Sequence, residues 1–348
     1  MGNAGIAYAL AAAALFGAST PFAKALAGEM PAVLLAGLLY MASGIGLIIW
    51  FAVRAVKNAG QERARLRAAD LPWLCGAIAA GGIIGPVLLM TGLAVTPAST
   101  ASLLLNMEAV LTALIAWFVF HENFDRRIVI GMVLIVAAGG LLSWQQAPRL
   151  GVPWGTLAIV AACLCWAIDN NLTRKVAASD AVQIAAIKGL AAGAVNLSLA
   201  ALLGAHWPAW SQVLGSALIG FLGYGLSLVL FVLALRHLGA ARTGAYFSTA
   251  PFVGAVISLL LLNEVPDLTF WIAAMLMAVG VWLHLSEQHE HQHIHHAMHH
   301  AHSHVHDLHH RHQHDSWNGV EPHSHPHEHP HTAHVHGHFP DIHHRHDH

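Results

Sequence analysis

Residues 98–122 read ASTASLLLNMEAVLTALIAWFVFHE, and residues 240–264, AARTGAYFSTAPFVGAVISLLLLNE, lie over them without a gap. Both begin small and polar, both continue apolar, and both end in glutamate at the same register, Glu122 and Glu264. The segments just before them end alike, in MTGLAVTPA (90–98) and VLALRHLGA (232–240). Farther upstream, ALFGASTPFAKAL (14–26) and CLCWAIDNNLTRKV (163–176) share a small and aromatic beginning and a basic end. A five-helix unit repeated at an offset of about 142 to 150 residues accounts for these matches. Five is odd, so the two units cross a membrane in opposite directions. Inverted repeats related by a pseudo-twofold axis in the membrane plane are a transporter architecture, because similar halves can exchange roles and give inward-open and outward-open states of nearly equal energy. Chance alignment of Ala/Leu/Gly helices is the competing explanation, and the shared glutamate register and helix count speak against it.

Composition places the chain in lipid. Of 348 residues 56% are hydrophobic and 10% charged, and the mean hydropathy is +0.56. Apolar stretches recur that can cross a hydrocarbon core about 30 Å thick as helices rising 1.5 Å per residue. A soluble protein would need polar stripes at a 3.6-residue period, and these runs are apolar or small on all faces. The expected fold is an all-α polytopic membrane protein with ten transmembrane helices, at about 5–23, 31–51, 72–93, 98–119, 128–144, 152–170, 181–203, 213–234, 241–262 and 269–285. This gives a first five-helix repeat over 1–145, a second over 150–286 and a tail over 287–348. The N-terminus lacks the basic region of a secretory signal, so the first helix is expected to be retained. Cys75, Cys163 and Cys165 fall in apolar helices with no CxxC spacing and read as small buried hydrophobes.

Ten spans put both termini on one side. The loops of that side carry Arg54, Lys57, Arg63, Arg65, Arg67, Arg126, Arg127, Arg174, Lys175, Arg236 and Arg242, against Lys24 and Arg149 on the other. By the positive-inside rule both ends, and the tail with them, are expected in the cytoplasm, with the protein in a cell membrane of the bacterial inner-membrane kind.

The segments ALFGASTPFAKAL (14–26), LAVTPASTASLLLNMEAVLTALIAWFVFHENF (93–124), LCWAIDNNLTRK (164–175) and LRHLGAARTGAYFSTAPFVGAVISLLLLNEV (235–265) resemble the drug/metabolite transporter superfamily, and within it the EamA-type ten-helix transporters. The resemblance covers about 1–286. It implies a secondary carrier of small organic solutes, driven by proton or solute exchange, with helices 1–4 and 6–9 lining a central cavity and helices 5 and 10 peripheral. One departure stands out. The family's mid-helix Glu-Pro is split here, Glu108 being followed by Ala109 while the second half has Ala250 followed by Pro251.

Glu108 falls near the middle of its span, where an uncompensated carboxylate costs several kcal/mol or holds its proton. It is a candidate for proton coupling or for holding a cationic substrate; the alternative is a neutral acid hydrogen-bonded to a neighbouring Ser or Thr. Thr112, four residues on, shares its face. Lys188 lies about a third of the way into helix 7, and Asp169, with Asn170 and Asn171, lies near the cytoplasmic end of helix 6. A structural Asp169–Lys188 pair and a lysine that attracts an anionic substrate are both open. Glu122 and Glu264 are expected to cap or gate. Pro21, Pro86 and Pro251 are expected to bend their helices.

Between 289 and 348 there are 26 histidines in 60 residues. Such a segment cannot bury enough apolar area to offset its ordering entropy, so it is expected to be disordered. His289, His291, His293, His295, His296, His299, His300, His302, His304, His306, His309, His310, His312, His314, His323, His325, His327, His329 and His331 stand at HxH and HH spacings that suit Zn, Ni, Co or Cu, without selecting among them. The spans themselves show no such cluster, so an organic-solute carrier with a metal-binding tail is preferred to a transition-metal or metal-chelate carrier, and to a membrane-anchored metal buffer without transport. No GxSxG elbow, phosphate loop or HExxH is present, so no enzyme is expected and no cofactor is required. The basic loop 52–71 is explained by orientation and calls for no nucleic-acid partner; the partners are the bilayer, a small-molecule substrate and transition-metal ions at the tail.

Overall fold

The computed structural model describes residues 2–57, 66, 68–120, 126–146, 153–176, 180–231, 233–234, 243 and 246–285, and the backbone of four short stretches between 289 and 338. Among the described residues eight helices are long and apolar enough to cross a membrane: Ala4–Ala27, Ala32–Ala52, Leu71–Val95, Ala98–Val119, Arg126–Trp144, Trp154–Thr173, Val182–Leu202 and Trp210–Phe231. Two shorter apolar helices follow, Ala250–Leu261 and Leu268–Leu283. In chain order these are the first to tenth spans of an all-helical polytopic membrane protein. Their starts carry the local chemistry that nucleates helices. Pro72 lies in the first turn of the third span, and the Asp180 carboxylate accepts from the Val182 and Gln183 amides ahead of the seventh. Exposed tryptophans stand at span ends, Trp144, Trp154, Trp210 and Trp271 toward one surface and Trp50, Trp73 and Trp282 toward the other, as an amphipathic ring prefers at the headgroup level.

Four expectations of uninterrupted helix are corrected. The third and eighth spans each contain a π-helical segment, Ile78–Ile84 and Gly220–Leu226. The two are related by an offset of 142 residues, that of the 98–122 and 240–264 match. The fourth span, expected unbroken, is split into Ala98–Leu104 and Met107–Phe120 by a turn at Leu105–Asn106. Its counterpart turns at Ser248–Thr249 before Ala250–Leu261. Side-chain competition for backbone carbonyls explains both breaks: Asn106 Nδ2 donates to Leu103 O at 3.0 Å, and Thr249 Oγ1 donates to Tyr246 O at 2.6 Å.

Packing obeys the exchange of halves. The second span runs along the seventh, the fifth along the tenth and the fourth against the ninth, each pair mapping onto itself. The third packs on the sixth as the eighth does on the first, and the first packs on the ninth as the sixth does on the fourth. Without a hydrophobic force between helices in lipid, such contacts depend on small residues that let backbones meet. At the axis Gly44 and Gly189 lie backbone to backbone, and Gly193 lies against the Met41 backbone. Away from it Gly17 and Gly254 do the same for the first and ninth spans.

In the tail, His289–His295 pairs antiparallel with Thr332–His338, and Met298–His304 with His323–His329. Histidine at alternate positions has the period of two that a strand requires.

Candidate functional site

The break in the fourth span places a helix N-terminus inside the bundle. Glu108 lies in the first turn of Met107–Phe120, where the Glu108 and Ala109 amides are bonded back across the turn to Leu105 O and Asn106 O at 3.1 and 3.2 Å. Its Oε1 accepts from Asn170 Nδ2 of the sixth span at 2.7 Å. Asn106 closes the break on the other side, donating to Leu103 O and weakly to Met277 Sδ of the tenth span at 3.8 Å.

One residue before Asn170, Asp169 turns to the seventh span. Lys188 Nζ lies 2.5 and 2.7 Å from its two carboxylate oxygens and 3.2 Å from Thr173 Oγ1, and Thr173 in turn donates to Asp169 at 2.8 Å. The two charged side chains are 12% and 10% exposed, so the ion pair is largely buried in the bundle. Gly81 of the first π segment makes room for it: a Cβ there would collide with the Asp169 carboxylate.

The same glycine anchors two aromatic side chains. In the π segment the Gly85 amide bonds to Ala80 O, five residues back. In that register the next donor would come from residue 86, but Pro86 has no N–H. The Gly81 carbonyl is thereby left open, and Tyr40 Oη donates to it at 2.9 Å and Trp166 Nε1 at 3.0 Å. Asn196 Nδ2 donates to the neighbouring Gly82 O at 3.2 Å. Tyr40 and Trp166 extend into a wall of rings. Phe16 lies 6.2 Å from Trp166, 5.9 Å from Tyr224 and 5.5 Å from Phe247, and Tyr40 lies 5.5 Å from Tyr224. The arrangement joins a packed cluster of rings to one carboxyl group hydrogen-bonded to an amide and one closed ion pair.

Of the residues singled out in the sequence, Glu108, Asp169 and Lys188 are brought together across three spans. Thr112 lies one turn from Glu108, with Oγ1 buried and unpartnered and its carbonyl 3.4 Å from Asn171 Nδ2. Glu264 is a cap: its oxygens accept from the Ala98 and Ser99 amides at 2.7 and 2.9 Å, closing the N-terminus of the fourth span from the end of the ninth. Glu264→Ala is expected to cost about 0.5–2 kcal/mol, read as a lower midpoint of thermal inactivation in detergent. Pro21 is interior to its helix, Pro86 lies inside the continuous third span just past its π segment, where its missing N–H leaves the Gly81 carbonyl open, and Pro251 stands in the first turn of Ala250–Leu261 after the break. Glu122 and the tail's histidine side chains lie outside the described residues. Among the described residues no group of three or more His, Cys, Asp or Glu is placed to hold a metal ion. A cavity of about 520 Å³ opens elsewhere, between the 28–31 and 203–209 connections, where Gln212 donates to Glu29 at 2.7 Å.

Sequence reasoning missed Tyr40, Trp166 and Gly81. The signal was the pair IAAGGII (78–84) and GFLGYGL (220–226), glycine-rich interruptions at the repeat offset inside otherwise regular spans.

Set beside known proteins, the chain matches the profile of the EamA-like transporter family over residues 3–144 and again over 153–286. An uncharacterized transporter of Methanothermobacter thermautotrophicus is 26% identical over 287 residues, 79% of this chain and 84% of that protein. The uncharacterized inner membrane transporter YedA of Escherichia coli K12 is 25% identical over 267 residues, 72% of this chain and 80% of its own. A solved crystal structure with 21% identity has a TM-score of 0.60, covering 80% of this chain and 95% of that one, and shares its fold.

Proposed function

The chain belongs to the EamA-like transporter family, and from that premise we propose that this membrane transporter is a secondary carrier exporting a small organic solute, coupled to protons through Glu108. The observation that carries the reading is the position of Glu108: in the first turn of a half-helix at a mid-span break, bonded to an amide and not to a cation. A carboxyl group so placed can exchange a proton as the cavity changes the side to which it opens, whereas Asp169 is already neutralised by Lys188. In this reading Asp169, Lys188 and Thr112 border the path, Glu122 and Glu264 close helix ends, and no cofactor is required. Both termini lie in the cytoplasm, and the tail gathers Zn, Ni, Co or Cu there as an accessory.

Transport of a transition metal or metal chelate is the second reading; the tail favours it, and the lack of a His, Cys, Asp or Glu cluster among the described residues weighs against a bare ion. Proteoliposomes under an imposed pH gradient, screened with amino acids, nucleotide precursors, polyamines, amphiphilic drugs and Ni, Co and Zn, separate the readings. Flux of an organic solute is expected. Flux of metal alone would put the second reading first, and no flux with metal bound to the tail would leave a membrane-anchored buffer. Removal of 289–348 is expected to leave that flux intact while abolishing high-capacity Ni or Zn binding in equilibrium dialysis; loss of folded carrier would contradict an accessory tail. A reporter fused after His348 is expected to read cytoplasmic.

A further inference from the structure

The two π segments occupy equivalent places in the halves, but they are not held alike. The first, Ile78–Ile84, has its Gly81 carbonyl bonded by Tyr40 and Trp166, its Gly82 carbonyl bonded by Asn196, and the Asp169 carboxylate packed against Gly81. The contact of Gly81 with Asp169 recurs in the second half as Gly223 with Ser19, at offsets of 142 and 150 residues, so the counterparts can be identified residue by residue. Trp166 corresponds to Phe16 by the same offset of 150. Gly44 and Gly193, facing each other's helices across the axis, relate the second span to the seventh, and by that relation Tyr40 corresponds to Gly189 and Asn196 to Leu47. Phe16, Gly189 and Leu47 carry no side-chain hydrogen-bond donor. Pro86, whose missing N–H opens the Gly81 carbonyl, corresponds to Leu228, which has one. Among the described residues the second segment is held by Ser19, which hydrogen-bonds the Tyr224 side chain, by the close approach of Gly220 to the Leu39 backbone and, just beyond its end, by Ser227 Oγ donating to Ala12 O at 2.8 Å; neither hydrogen bond goes to a carbonyl of the segment. A π segment is a register fault in a helix, where a small change of hydrogen-bond pairing changes the direction of everything beyond it.

We propose that the halves do not exchange roles equally: the second π segment, Gly220–Leu226, is the working hinge of the carrier, while the first, Ile78–Ile84, is a fixed abutment held by Tyr40, Trp166 and Asn196. This rests on the transporter reading for the word carrier, but the hinge itself is a property of the chain without substrate. The eighth span then turns against the first and second, and the third, sixth and seventh move together as one body with the Asp169–Lys188 pair inside it. Tyr40 and Trp166 act through the Gly81 carbonyl and are positioning residues.

The test is amide hydrogen exchange of the full-length protein in lipid nanodiscs, followed on peptides spanning 78–84 and 220–226. Exchange reports local opening free energy segment by segment, and the 220–226 amides are expected to exchange at least about tenfold faster than those of 78–84. Tyr40→Phe combined with Trp166→Phe retains the rings, and most of the packing, while removing both hydroxyl and indole donors, and is expected to raise exchange in 78–84 toward the level of 220–226 while leaving the latter unchanged. Equal protection of the two segments in the unaltered protein, or faster exchange in 78–84, would overturn the proposal, as would a double variant with 78–84 still protected. Because no solute is involved, this outcome is independent of whether the flux screen succeeds; absence of flux from a protein with one fast and one slow segment would strike the carrier reading and not the hinge.

Discussion

Replacing Glu108 by Gln is expected to reduce accumulation driven by a pH gradient to the level of empty liposomes while leaving the protein inserted and abundant. Gln preserves the size of the side chain and can accept the Asn170 bond that Glu108 now accepts at 2.7 Å, so the fold loses little. It cannot titrate. A group couples transport to protons only if its charge changes between the two open states, and the other described acid of this site, Asp169, is held by Lys188 and Thr173. Exchange of solute for solute, which needs no net proton movement, is expected to survive. The measurement is the ratio of gradient-driven flux to counterflow in the same vesicles. A Gln variant with an undiminished dependence on the gradient would remove Glu108 from the coupling scheme.

The second large effect is on stability. Lys188→Met is expected to destabilise the protein by about 3 kcal/mol or more, because removing one partner of a buried pair strands the other charge in a low-dielectric interior. Asp169 retains only the Thr173 hydroxyl as a described donor once Lys188 is gone. Asp169→Asn in the same molecule removes the stranded charge, and the double variant is expected to regain most of the loss, since replacing both members of a buried pair is often close to neutral. Monodisperse protein surviving a heat step on size-exclusion chromatography reads both. If the single and double variants lost the same amount, the pair would matter for its shape and not its charge.

Much of the architecture was legible because it is written in quantities a linear reading can count. Span number follows from apolar length, and the inverted relation of the halves follows from a 25-residue match between 98–122 and 240–264 with an odd number of helices between equivalent points. Glu108 was legible because a lone acid in an apolar run has few inexpensive explanations. The Asp169–Lys188 pair stood open in the sequence against a lysine that attracts an anionic substrate, since a sequence gives no measure of how far the sixth and seventh spans slide past each other. The Gly81 carbonyl could not be read at all. Its availability depends on a π register that shifts the demand for a donor onto Pro86, and on two rings arriving from the second and sixth spans.

The interlocking of the halves has a bearing on how the chain is made. Gly17 of the first span meets Ala250 and Gly254 of the ninth, Gly44 of the second meets Gly189 of the seventh, and Gly280 of the tenth meets Gly131 of the fifth. Leaving the ribosome, the first five spans enter the bilayer with these small-residue faces against lipid tails, and no span of their own half is built to cover them as closely. Each face waits for a partner synthesised roughly a hundred or more residues later, which at about 5–20 residues per second means many seconds of exposure. Biogenesis of this protein therefore resembles the assembly of two subunits more than the growth of one domain, with the face of the first span waiting for the ninth and that of the fifth for the tenth.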